Sequence, residues 1–114
     1  MDKKILVVDD AMFMRSIIRK ILKEAGYTQV WEAQDGEKAM ELFREVSPDL
    51  VLLDITMPGR SGLEVLEEML GLVPNVRVIM CSAVGQEMMI QKALTIGASD
   101  FIVKPFKADE FFPG

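Results

Sequence analysis

The sequence predicts an α/β fold, a doubly wound sheet of five parallel strands, and two observations carry that expectation. Four short apolar runs each end on a residue able to handle a phosphoryl group or a metal. Ile5-Leu6-Val7-Val8 leads into Asp9-Asp10, Leu50-Val51-Leu52-Leu53 into Asp54, Val78-Ile79-Met80-Cys81 into Ser82, and Phe101-Ile102-Val103 into Lys104. Between these runs lie segments whose apolar residues recur at helical spacing, so strand and helix alternate along the chain. Continuous apolar runs suit strands buried on both faces, and ligands of such sheets bind beyond the strands' carboxyl ends. Three carboxylates, a hydroxyl and an ammonium are therefore expected to converge on one rim.

The elements follow in order. After the first strand, Ile17, Ile18, Ile21, Leu22 and Ala25 fall at steps of three and four, with Arg15, Arg19, Lys20 and Lys23 between them, and Gly26 is placed to end that helix. Val30-Trp31-Glu32-Ala33 supplies a short strand, expected at an edge. Ala39, Met40, Leu42, Phe43 and Val46 mark a second helix before Ser47-Pro48. A third helix is expected over Leu63 to Leu70 with Gly71 as its stop, and a fourth from about Gln86 to Ile96 with Gly97 as its stop. No linker, repeat or low-complexity segment interrupts the pattern.

At 114 residues the chain fits one domain, residues 1–114, and with 50% hydrophobic residues it has the material for a core. Thirteen Lys and Arg stand against 18 Asp and Glu, and the net charge of −5 disfavours a nucleic-acid backbone as the main partner. The apolar stretches fall far short of the ~20 residues that span a bilayer. Met1-Asp2-Lys3-Lys4 lacks the apolar segment of a signal peptide, so a cytoplasmic location without membrane contact is expected. The single Cys81 sits inside an apolar run and is expected to be an inert, buried thiol. The nine methionines are expected to fill the core, with a partner surface around Met88 and Met89 as the second choice. There is no histidine, which removes Ser-His-Asp and Cys-His catalysis and the usual zinc sites. Covalent phosphoryl chemistry must then fall on a carboxylate or a hydroxyl.

Asp10 alone reads as well as a helix cap as it does a ligand, and Ser82 equally well as the N-cap of the fourth helix. Three acids at one rim are different. Packed like charges raise one another's pKa unless a cation sits among them, and an all-oxygen donor set favours Mg2+. Asp54 would be the nucleophile, with Lys104 and Ser82 positioning a phosphoryl group and offsetting its charge. A cis Lys104-Pro105 bond is expected to aim the ammonium back at the site.

With Val7-Val8-Asp9-Asp10, Asp54-Ile55-Thr56-Met57-Pro58 followed by Gly62, Cys81-Ser82-Ala83, Gly97-Ala98, and Asp100-Phe101-Ile102-Val103-Lys104-Pro105-Phe106, the chain resembles a response-regulator receiver domain from Lys3 to Phe106. The chemotaxis members are the ones it resembles most. The resemblance implies the flavodoxin-like strand order 2-1-3-4-5 and phosphorylation of Asp54 by a histidine kinase of a two-component system. Asp10, Asp54 and the backbone carbonyl of Thr56 would ligate Mg2+, with Asp9 holding metal-bound water. Ser82 and Lys104 would grip the phosphoryl oxygens, and Phe101 would take the position whose ring turns inward as Ser82 shifts. That position is often Tyr, so the steric switch stays while a hydroxyl is lost; the plainer alternative is a core ring. Thr56 and Val84 match the positions that tune hydrolysis of the acyl phosphate. The implied protein is no enzyme beyond its own Mg2+-dependent phosphorylation and dephosphorylation.

After Lys104-Pro105-Phe106 a receiver forms a fifth helix, but here Lys107 to Phe112 offers six residues before Pro113-Gly114, against a mean helix of about 11 to 12. The fifth helix is expected to be shortened or missing. Side chains of the first and fifth strands would then lie open, or Phe111 and Phe112 would tuck in as a partial plug; truncation with some self-association through that face is the expectation. Two functions remain in view: a stand-alone switch acting on the flagellar motor switch or another output protein, and the receiver of a longer regulator with a DNA-binding or enzymatic output. An aspartyl-phosphate phosphatase would want a second Asp where Thr56 stands, and Asp9-Asp10-Ala11-Met12 is no glycine-rich nucleotide cradle.

Overall fold

Residues 3–104 are described by the computed structural model. Five strands alternate with four helices among them: β1 (Lys4–Val8), α1 (Met12–Glu24), β2 (Gln29–Ala33), α2 (Gly36–Val46), β3 (Leu50–Asp54), α3 (Gly62–Leu72), β4 (Arg77–Ser82), α4 (Glu87–Ile96) and β5 (Asp100–Val103). All neighbours pair in parallel, in the order β2-β1-β3-β4-β5, with β2 at an edge as expected.

The continuous apolar runs are explained by burial on both faces. Leu6, Val8, Val51, Leu53, Val78 and Met80 point to the side packed by Ala39, Met40 and Phe43 of α2, Val65, Leu66 and Met69 of α3, and Ile90 and Ala93 of α4. Ile5, Val7, Leu52, Cys81 and Ile102 point the other way, in one cluster with Ile18 and Leu22 of α1. Each fully buried branched side chain contributes roughly 1.5–3 kcal/mol, so these strands rather than the loops set the frame. Burial pushes the Cys81 thiol up to about 12, in keeping with an inert core sulfur. Met40, Met57, Met69 and Met80 fill the core, whereas Met12 and Met88 are exposed.

Three expectations are corrected. The third helix runs through Gly71 to Leu72; its end is set by Pro74, which keeps Val73 out of the helical region at φ −134 and ψ 89. Ser82 closes β4 and does not cap α4, whose N-cap is Gln86, and Asp10 is not the N-cap of α1, which is Ala11. In the first and fifth strands Ile5 and Val7 are fully buried and Ile102 nearly so, while Phe101 of β5 is exposed. The shortened fifth helix, the Phe111–Phe112 plug and the Lys104-Pro105 bond fall outside the described residues.

Candidate functional site

Register decides which side chains meet. Val8 lies abreast of Leu53, so Asp9, one step on, comes level with Asp54, the last residue of β3. Across the sheet Asp54 stands beside Cys81, Ser82 beside Val103, and Lys104 follows one residue later. Lys104 reaches back over β4 to β3 and β1: its Nζ lies 2.8 Å from Asp9 Oδ2 and 3.3 Å from Asp54 Oδ1. Carboxylate oxygens of Asp9, Asp10 and Asp54 lie within 4.8 Å of one another.

The three acids are not equivalent. Asp9 is buried, its Oδ1 accepting the backbone N–H of Ala11 at 2.9 Å, and Asp54 is buried beside it, while Asp10 is exposed. Burial, partly opposed by Lys104 and reinforced by Asp9 and Asp10, pushes Asp54 up to about 6. Burial pulls the Lys104 ammonium down, but its hydrogen bond to Asp9 and its nearness to Asp54 outweigh that and hold it above its ordinary value. One cation thus serves two buried carboxylates, and a surplus of negative charge remains. Mg2+ takes oxygen ligands at about 2 Å in octahedral arrangement and keeps several waters, and an all-carboxylate cluster open on the Asp10 side fits it.

Ser82 is fully buried, and its Oγ has no hydrogen-bond partner among the described residues. A buried hydroxyl normally finds a partner, so this one stands out at the rim. Phe101 is not a core ring: it is 39% exposed and lines a cavity of about 210 Å³ with Val84, Ile90 and Val103. Thr56 is exposed, its Oγ1 accepting from Gln86 Nε2 at 2.7 Å, and Val84 is exposed as well.

Two contributors escaped the sequence reading. Arg15, one turn into α1, donates to the carbonyl of Asp9 at 2.6 Å and pairs with Glu32 of β2 at 3.1 Å, so it pins the turn that carries both aspartates. Gln86 bridges the loops after β3 and β4. The signal for Arg15 was a cation one turn beyond an acidic pair; nothing in the spacing marked Gln86.

The family model for the response regulator receiver domain matches residues 5–112. The chain belongs to the response-regulator receiver family. This receiver is 52% identical over 106 residues to the chemotaxis protein CheY of Listeria monocytogenes, covering 93% of this chain and 89% of that one. With CheY of Thermotoga maritima it shares 46% over 107 residues, covering 94% and 89%. Among solved structures, the receiver domain of NtrX from Brucella abortus superposes with a TM-score of 0.89 at 38% identity, covering 94% of this chain and 90% of that one. In the longer NtrX chain the same match spans 25% of the length. The strand order is the one the resemblance implied. No helix among the described residues is long and apolar enough to cross a membrane.

Proposed function

We propose that this receiver is a phosphoacceptor switch of a two-component system, phosphorylated on Asp54 by a histidine kinase. The observation that carries it is the buried Asp54 carboxylate with Lys104 Nζ at 3.3 Å and the oxygens of Asp9 and Asp10 gathered around it. An Asp54 oxygen attacks the phosphorus of a phosphohistidine, the phosphorus–nitrogen bond breaks, and its electron pair leaves on the imidazole nitrogen. The raised pKa keeps that oxygen nucleophilic while leaving it largely ionised near neutrality. Lys104 and the unpartnered Ser82 hydroxyl take the equatorial oxygens, and this positioning is most of what phosphoryl transfer needs. Asp10, Asp54 and the Thr56 carbonyl would hold Mg2+, with Asp9 on its water; when bound, the cation supplies charge neutralisation between the carboxylates and the phosphoryl oxygens.

The output is chemotaxis by contact with the flagellar motor switch, in the cytoplasm, a reading supported by the 52% and 46% identity to chemotaxis proteins CheY. The match within the longer NtrX chain supports the second reading, a receiver whose output lies in another domain. The test of the site is incubation with Mg2+ and acetyl phosphate. One phosphoryl group is expected on Asp54, and none on Asp54→Asn; equal uptake by that variant overturns the assignment.

A further inference from the structure

Gln86 holds the β4–α4 turn by both ends of its side-chain amide. Its Oε1 accepts the backbone N–H of Ala83 at 2.6 Å, and its Nε2 donates to Thr56 Oγ1 at 2.7 Å. A backbone N–H can only donate, so the amide has one sensible orientation, and Thr56 must be the acceptor. Thr56 lies two residues beyond Asp54, and Ala83 is the residue after Ser82. The amide therefore ties the loop carrying the nucleophile to the turn that follows the buried hydroxyl.

Resting on the phosphoacceptor role of Asp54, we propose that Gln86 is a positioning residue, a latch that keeps the β4–α4 turn in its resting place until a phosphoryl group arrives. Three observations support a latch rather than a plain surface contact. Gln86 occupies the N-cap position of α4, yet it makes no cap hydrogen bond, because its side chain is committed to Thr56 and Ala83. The preceding Gly85 sits at φ 96, in the left-handed region that glycine enters without steric cost, so the turn is built on a residue to which other conformations are also open. The turn borders the cavity of about 210 Å³ lined by Ala83, Val84, Gly85 and Phe101, which leaves it room to shift. With Gln86 only half buried, its two bonds are exchangeable with water. Each holds the turn by a factor of roughly five, the usual net strength of such a bond.

The experiment compares the whole chain with Gln86→Met, Thr56→Val and the double variant. First, amide hydrogen exchange is read without phosphodonor. Exchange at 83–87 is expected to rise at least about threefold in each single variant, more in Gln86→Met, which loses both bonds, and the double is expected to match Gln86→Met, because Thr56→Val removes only a bond that Gln86→Met has already removed. Unchanged exchange, or effects that multiply in the double, overturns the latch. Second, Mg2+ and beryllium trifluoride, a phosphoryl stand-in that does not hydrolyse, are titrated in. Gln86→Met is expected to lower the half-saturating concentration about threefold or more, since the bound arrangement no longer has to break the bridge. A merely structural role would lower thermal stability and leave or weaken that affinity, and this result also overturns the latch. If the wild type takes up none of the stand-in, the phosphoacceptor role falls, while the exchange comparison still decides the latch.

Discussion

A Cβ placed on Gly62 would stand 2.1 Å from the backbone carbonyl oxygen of Asp54 and 2.8 Å from the Cα of Ile55. The start of α3 is thus packed directly on the backbone that presents the candidate nucleophile, and the Gly62 N–H donates to the Ile55 carbonyl at 2.8 Å.

Gly62→Ala is accordingly expected to destabilise by about 3 kcal/mol or more, since backbone has to move to relieve the overlap. Urea unfolding measures this. Phosphate uptake on Asp54 should fall with it, because relief comes by displacing Asp54 or the helix; an alanine variant of wild-type stability contradicts the packing.

Ser82→Ala should separate stability from function. Removing a buried hydroxyl that has no partner is expected to leave stability unchanged or raise it by about 1 kcal/mol, whereas phosphoryl transfer from acetyl phosphate slows at least about tenfold. Chemical unfolding and the rate of mass gain test the two halves. A loss of stability would mean that Ser82 Oγ is bonded.

Lys104→Met leaves Asp9 and Asp54 buried without their shared cation. In chelator at neutral pH the loss is expected to be about 3 kcal/mol, the usual result of breaking a buried pair by removing one partner. Mg2+ should then stabilise the variant more than it does the wild type. Thermal midpoints with and without Mg2+ decide this, and equal shifts would argue against one cluster shared by ammonium and cation.

Asp54→Asn addresses the raised pKa. The folded protein binds its proton near pH 6, the unfolded chain near 3.8, so the folded state holds more protons between those values. Stability contributed by this group therefore rises as pH falls from about 6 to about 4, and the ionised form is a liability at neutral pH. In chelator, Asp54→Asn is expected to be more stable than wild type at pH 7.5 by roughly 2–3 kcal/mol, with the gap closing towards pH 4. A gap that does not change with pH would place the Asp54 pKa at its ordinary value.

Most of the fold was legible because its signals are local. Runs such as Leu50 to Leu53 name their own strands, and Gly26 and Gly97 stop helices where expected, with φ of 95 and 135. Gly71 misled because Pro74, three residues later, controls the last turn of α3. That Ile5, Val7 and Ile102 share one buried cluster with Ile18 and Leu22 has no local signal, because residues far apart in the chain make it.

The sequence by itself determined the alternation of strand and helix, and it placed Asp9, Asp10, Asp54, Ser82 and Lys104 at strand ends, since a period-2 or 3.6 pattern depends only on near neighbours. Tertiary structure alone decided what those residues do to one another. That Lys104 lies 2.8 Å from Asp9, 95 positions away in the chain, and that Asp9 is buried while Asp10 is exposed, follow from sheet register. So do the hold of Arg15 on the Asp9 carbonyl and the bridge from Gln86 to Thr56. Charge, burial and hydrogen bonding act over a few ångströms of space, and only the packed sheet brings those ångströms together.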